Sequence, residues 1–278
     1  MVTSKHFLNN RLVEEKDFLI SPRDLGFARG YAVFDFFITY PDRRPFMLEK
    51  HIERLFSSAM LINLAVRWSK EEIMQRVHET IEANGKGEKM IKVIVSGGVS
   101  NSLLPQGNPT LIVLCDPLTT FPEEFYTKGV GMMLVPFVRY LPGAKTTNYI
   151  EGVRQVQRGQ AKRAVEPIYY NDAQVFEGAS CNVFAMIDGA LVTPKSNILP
   201  GITREVILNS LKLSLPIEER DFTKKELLVA SEVFITSSNR EVMPVVRLDD
   251  AQVGDGKVGN ITMETMRQFK DLTHSDAW

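Results

Sequence analysis

Strand-like runs and helical periods follow one another along this chain without the strict strand–helix alternation of a doubly wound sheet, which points to an α+β fold in two domains. Residues 6–8 and 11–13 flank Asn9-Asn10, a two-residue hairpin signal. Residues 32–40 (AVFDFFITY) read as an aromatic-rich strand ended by the Pro41 to Pro45 turn. Ile52, Leu55, Phe56, Ala59, Met60 and Ile62 keep helical spacing. Ser69 with Glu72 makes a capping box for a second helix, closed by Asn84-Gly85. Strands are expected at 90–96, 110–115, 131–140, 168–170, 173–176, 182–187, 190–193, 231–236 and 242–246. Helices are expected from Ile150 to Ala164, from Thr203 to Leu213, after the Thr223/Glu226 cap, and from Thr262 to Leu272.

The chain has 278 residues, room for one large domain or two medium ones. The segment 116–128 (DPLTTFPEEFYTK) carries two prolines, several charges and no period, so it reads as a linker. Domains are therefore expected at 1–117 and 129–278, with 118–128 between them. Lys and Arg number 33 against 34 Asp and Glu, which argues against a partner with a phosphate backbone. Cys115 and Cys181 lie in apolar runs and read as buried thiols of a reducing compartment. With four scattered histidines and no CxxC or HExxH, no metal site is expected. The sequence opens without the apolar stretch of a signal peptide, and the longest near-apolar run, 129–138, is too short to span a bilayer. A soluble cytoplasmic protein is the expectation.

Several segments have the residue types that chemistry needs. The glycine-rich stretches 96–100 and 254–259 fit neither GxxxxGK[ST] nor GxGxxG and read as turns. In Leu199-Pro200-Gly201-Ile202-Thr203-Arg204, a Pro-Gly turn leads into a helix; its free amides and the Thr203 hydroxyl make either an anion site or an ordinary cap. Thr236-Ser237-Ser238-Asn239 offers hydroxyls at a strand end in the same two senses. Lys145 follows a Pro-Gly turn; it is a solvated lysine or, in an apolar pocket, a nucleophile. Glu177, beside Gly178-Ala179-Ser180, is a surface carboxylate or the partner of a buried cation. Arg29 and Lys92 interrupt apolar neighbours, either by strand alternation or as a carboxylate-binding pair.

These residues together form a pattern. Arg23-Asp24-Leu25-Gly26-Phe27, Val33-Phe34-Asp35, His51-Ile52-Glu53-Arg54-Leu55 and Lys145-Thr146-Thr147-Asn148-Tyr149 come first. Glu177 to Phe184, Gly201-Ile202-Thr203-Arg204, Glu232 to Ser238 and Glu241 to Val245 follow in order. In this the chain resembles the class IV aminotransferases, pyridoxal 5'-phosphate enzymes of fold type IV. The resemblance implies a small N-terminal α/β domain, a larger C-terminal pseudo-barrel domain, a cofactor between them and a homodimer in which the loop of Arg29 reaches the partner's site. It implies that Lys145 bonds the cofactor aldehyde and then moves the proton at the substrate Cα, and that Glu177 keeps the pyridine nitrogen protonated. Arg54, Ile202, Thr203 and Ser238 would hold the phosphate, with Tyr149 on the phenolic oxygen and Asn182 supporting the strand. Arg29, Phe34, Lys92 and Asn239 would meet the substrate.

Family resemblance leaves the substrate to the pocket. The D-amino-acid enzymes of the best-known type carry Arg-x-His in the loop after the strand of Lys92; here the loop reads Gly98-Val99-Ser100-Asn101-Ser102. Branched-chain enzymes typically have Arg at the position of Lys92 and Tyr at that of Arg29, and the lyases often have Lys at the former. The expectation is a transaminase using 2-oxoglutarate as amino acceptor. A D-amino acid such as D-alanine or D-glutamate is slightly favoured as donor, because two full cations suit an α-carboxylate present in every substrate. A branched-chain L-amino-acid aminotransferase and an aminodeoxychorismate lyase making 4-aminobenzoate are the alternatives.

Overall fold

The computed structural model describes residues 4–161 and 163–278. The chain forms two units, the first running through Thr119 and including Ala144–Asn148 and Trp278, the second made of Thr120–Gly143 and Tyr149–Ala277. The short stretch that carries Lys145 thus packs with the N-terminal sheet although it follows the first strand of the other unit in sequence.

The first unit contains β1 (Lys5–Leu8), β2 (Arg11–Glu14), α1 (Leu25–Arg29), β3 (Ala32–Tyr40), β4 (Arg44–Pro45), α2 (Leu48–Leu61), α3 (Lys70–Ala83), β5 (Lys89–Ser96) and β6 (Thr110–Pro117). Its sheet has the order β2-β1-β6-β5-β3-β4. Asn9 takes the left-handed conformation that a two-residue hairpin requires, and Leu8 pairs with Arg11 across it. Val33, Phe37, Ile91, Val93, Leu111 and Val113 are buried with Ile52, Leu55, Ile73 and Val77 of α2 and α3. The Ser69 capping box on α3 forms as the spacing predicts.

Helix α1 is a departure, because the sequence reading leaves Arg29 in a loop. Asp24 explains it. One carboxylate oxygen caps α1 at the Gly26 amide (2.8 Å), while the other accepts from Ser96 (2.9 Å) and Thr110 (2.7 Å). A β-carbon on Gly26 would sit 2.7 Å from that of Ser96, so the Asp-Leu-Gly sequence staples a five-residue helix to the ends of β5 and β6. A helix this short gains its stability from such contacts rather than from propensity.

The second unit contains α4 (Glu124–Thr127), β7 (Val130–Pro136), α5 (Ile150–Ala161), β8 (Ala164–Tyr170), β9 (Val175–Gly178), β10 (Asn182–Ile187), β11 (Ala190–Thr193) and α6 (Ile202–Ser210). It continues with β12 (Ile217–Glu219), α7 (Lys224–Val229), β13 (Val233–Ser237), β14 (Glu241–Leu248), β15 (Ala251–Gln252) and α8 (Asn260–Thr273). Its larger sheet follows β12-β11-β10-β13-β14-β7-β8-β9, with β15 on β14. Met132, Ile168, Val183, Ala185, Ile235 and Met243 form its core. Helix α4 occupies part of the segment expected to be a linker.

Other elements of this unit also differ from the sequence reading. Strand β7 stops at Pro136 rather than Tyr140, because proline offers no amide to continue a ladder. Helix α5 ends at Ala161, and Ala164 already opens β8; Lys162 lies outside the described residues. Its buried face is Gly152, Gln155 and Gly159, while Ile150 and Val153 are 73% and 55% exposed. The glycines let the helix approach closely: a β-carbon on Gly159 would be 3.0 Å from the Ala164 carbonyl. Among the described residues no helix is long and apolar enough to cross a membrane.

Candidate active site

In the first unit the site is built on the two faces of β3. Alternation puts Phe34 and Phe36 on one face and Val33, Asp35 and Phe37 on the other. Lys92 of β5 lies opposite Phe36. A bridge between Val33 and Thr146 sets Lys145 beside Phe34. The Lys145 carbonyl accepts from the Phe34 amide (2.9 Å), and the Lys145 amide donates to Ser58 Oγ of α2 (3.0 Å). The Nζ of Lys145 stands 4.8 Å from the Phe34 ring centroid and that of Lys92 5.7 Å, both within cation–π range. Phe34, Lys92 and Lys145 are therefore gathered around one ring.

On the other face, Asp35 is fully buried against α2. Arg54 grips it with Nε on Oδ2 (2.8 Å) and Nη2 on Oδ1 (2.7 Å), and His51 Nδ1 meets Oδ1 at 2.6 Å. Burial opposes ionisation of Asp35, but the Arg54 guanidinium and the His51 ring overcome it and hold the carboxyl well below the usual carboxylate range. Burial pushes the His51 ring down despite Asp35, with Arg54 and Lys145 adding to the effect. The network assigns a neutral His51 that donates from Nδ1, and its buried Nε2 has no partner among the described residues. Sequence reasoning named Arg54 but gave no role to Asp35 or His51; the available signal was one acid inside an otherwise apolar strand.

Arg29 lies apart from this group. It is exposed at the end of α1 and donates to the Ala28 carbonyl (3.1 Å). With Arg23, Ser100, Asn101 and Ser102 it lines an open cleft of about 450 Å³. No hydrogen bond or shared ring joins it to Lys92 among the described residues.

In the second unit Glu177 is the penultimate residue of β9 and is buried. Its Oε2 accepts from the Leu199 amide (2.9 Å) and from Asn182 Nδ2 (3.3 Å), and its Oε1 pairs with Arg139 Nε at 3.0 Å. Arg139 also donates to the carbonyls of Gly178 and Ala179, and its guanidinium lies 5.6 Å from the Tyr149 ring and 5.4 Å from that of Tyr169. Beneath the following turn, Glu166 accepts from Ser180 Oγ (2.7 Å) and pairs with Arg240 (3.3 Å). The carboxylate of Glu177 is thus held from both sides by the protein itself. Arg139 is a residue the sequence reading missed, since its partner lies 38 positions away.

Helix α6 begins at Gly201 with no side-chain cap. The amides of Ile202 and Thr203 meet no acceptor among the described residues, the arrangement that makes a helix start receptive to an anion. Arg204 anchors the helix through Thr193, the Pro194 carbonyl and Glu219. The Oγ1 of Thr236 is buried and has no partner among the described residues. Ser238 is half-buried just after β13, and Asn239 accepts from Ser237 Oγ (3.1 Å). The other glycine loop offers no such start, because the amides of Ile261 and Thr262 at the head of α8 are taken by Glu232.

Both cysteines are free and buried, and burial pushes the Cys115 thiol up to about 12. Among the described residues no group of His, Cys, Asp and Glu is placed to hold a metal ion.

The sequence matches the amino-transferase class IV family over residues 32–248. A putative branched-chain-amino-acid aminotransferase of Methanocaldococcus jannaschii is 32% identical over 279 residues, covering 96% of each chain. A D-alanine aminotransferase of Listeria monocytogenes is 32% identical over 274 residues, covering 95% of this chain and 94% of the other. The crystal structure of the Escherichia coli branched-chain amino acid aminotransferase superposes with a TM-score of 0.92 at 26% identity, over 99% of this chain and 97% of that one.

Proposed function

The chain belongs to the class IV aminotransferases, and on that footing we propose that it moves an amino group between a D-amino acid and 2-oxoglutarate. The family works with pyridoxal 5'-phosphate, which supplies an aldehyde and an electron-accepting ring. The residues present suit that group. Unpaired amides and the Thr203 hydroxyl at the head of α6 suit its phosphate, and Glu177 suits a protonated ring nitrogen. The buried Thr236 hydroxyl lacks the partner that a bound ligand would provide.

In this reading Lys145 would supply the amine that holds the cofactor aldehyde and, as a free amine, the base that takes the proton at the substrate Cα. Glu177 holds the proton on the ring nitrogen. Arg54, set by Asp35, and the amides of Ile202 and Thr203 bind the phosphate with Ser238. Tyr149 donates to the phenolic oxygen, and Asn239 borders the substrate.

One observation carries the choice of donor: Lys92 and Lys145 share the Phe34 ring. A carboxylate drawn to Lys92 lies close to the amine that works at Cα, and the carboxylate bonded directly to Cα meets that condition. This favours α-carboxylate recognition at Lys92 and therefore the D-amino acid. Arg29, which opens onto a separate cleft, joins this scheme as a contribution from the second copy of a cytoplasmic homodimer. The similarity to a branched-chain enzyme supports the second reading, in which Lys92 takes a side-chain carboxylate and the donor is an L-amino acid.

Half-reactions decide between them. D-Alanine and D-glutamate are expected to discharge the visible absorbance of the purified protein, and L-leucine to leave it. Loss of the absorbance with L-leucine alone overturns the D-amino-acid reading. Release of 4-aminobenzoate from aminodeoxychorismate without any keto acid reassigns the enzyme to the lyases.

A further inference from the structure

Asn182 opens β10 opposite Thr236 of β13 and is 5% exposed. Its Nδ2 donates to Glu177 Oε2 (3.3 Å) and to the Leu199 carbonyl (2.9 Å), while the Leu199 amide donates to the same Oε2 (2.9 Å). One carboxamide therefore ties the Glu177 carboxylate to the turn that delivers α6. Two residues further along that turn, Gly201 has φ −72° and ψ 134°, a conformation any residue adopts. Its need for glycine is spatial: a β-carbon there would lie 1.8 Å from Asn182 Oδ1 and 3.0 Å from Cγ. The carboxamide occupies the volume that a side chain at Gly201 would fill.

We propose that Asn182 and Gly201 act together as a spacer that fixes the separation between the Glu177 carboxylate and the amides at the head of α6. The ligand this spacing serves is a planar heteroaromatic ring with a basic nitrogen at one end and a phosphate at the other, which rests on the cofactor reading above. Each end alone is a generic site, a carboxylate for a ring N–H and a helix start for an anion. Tight binding requires both to be met by one rigid ligand, so an error in their separation weakens only a ligand that spans them. Asn182 is thus a positioning residue that acts through Glu177 and α6.

The test compares pyridoxal 5'-phosphate with pyridoxal, which lacks the phosphate, in equilibrium dialysis against the full chain. Gly201→Ala is expected to weaken pyridoxal 5'-phosphate binding by about tenfold or more while pyridoxal binding changes little. Asn182→Ala should act in the same direction. In the Asn182→Ala background, Gly201→Ala should add little, because the clashing oxygen is gone and the two residues couple. Additive losses, or equal losses for pyridoxal and pyridoxal 5'-phosphate, overturn the spacer. Should Asn182→Ala fail to fold, Asn182→Leu keeps nearly the same shape and removes the Nδ2 donors without adding a charge beside Glu177, and it is expected to weaken pyridoxal 5'-phosphate more than pyridoxal; equal losses there overturn the spacer as well. A native chain that binds neither ligand overturns the cofactor reading itself and the spacer with it, which is a different result from a native chain that binds and variants that bind equally well.

Discussion

Lys145→Ala is expected to lose transamination by at least about 10³-fold, the scale of a removed acid–base group, while the fold and the phosphate-binding residues stay in place. The variant is clean because the chain is held at this position by its backbone. The amide donates to Ser58, the carbonyl accepts from Phe34, and Thr146 bridges Val33; none of these uses the lysine side chain. The side chain contributes its amine and its position against the Phe34 ring. Single-turnover conversion of D-alanine to pyruvate measures the loss, and thermal unfolding checks that the fold persists. Pyridoxal 5'-phosphate should still bind through its phosphate, without the absorbance that a bond to Lys145 gives. Retained turnover overturns the central assignment. Lys92→Met separates the neighbouring cation from this role: it should raise KM for the donor much more than it lowers kcat, since Lys92 meets a carboxylate and not the migrating proton.

The parts of the fold legible in the sequence are those set by neighbours in the chain. The Asn9-Asn10 hairpin and the two capping boxes, Ser69 with Glu72 and Thr223 with Glu226, form as their spacing dictates, because each rests on hydrogen bonds within four residues. Helix α1 escapes that logic. Five residues carry no period, and what holds them is Asp24 reaching Ser96 and Thr110, 72 and 86 positions away. In α5 the apolar residues mislead about the buried side, since Gly152 and Gly159 pack by having no side chain at all. The candidate site divides in the same way. Lys145, Glu177, Arg54 and the head of α6 are visible as residue types in motif order. Of their supports, Asn182 is named in the motif, whereas Asp35 with His51 on one unit and Arg139 on the other depend on contacts no local pattern encodes.

Asp35 carries the second large effect. Asp35→Leu is expected to lower the unfolding free energy by about 3–5 kcal/mol, the cost of removing one member of a buried ion pair. Arg54, only 9% exposed, would keep its guanidinium with both Asp35 bonds gone, and His51 would lose its one acceptor at Nδ1. The urea midpoint measures the loss. The pH dependence gives the mechanism. The carboxyl of Asp35 is held below its unfolded value of about 3.9, so the pairing contributes fully above that pH and is lost as the pH falls further. His51 adds an acid-side dependence of its own. Its folded ring resists the proton that the unfolded chain takes up near pH 6.5, so stability also declines as the pH drops through that range. Asp35→Leu should remove the contribution of Asp35 to the decline below about pH 4 and so make the acid limb shallower. It should also deepen the loss near pH 6, because His51 would then face Arg54 and Lys145 with no carboxylate to offset them. A variant of native stability, or one whose acid limb matches that of the native chain, would show that Asp35 does not hold Arg54 as a charge. Arg54 would then need another reason for its place beside β3.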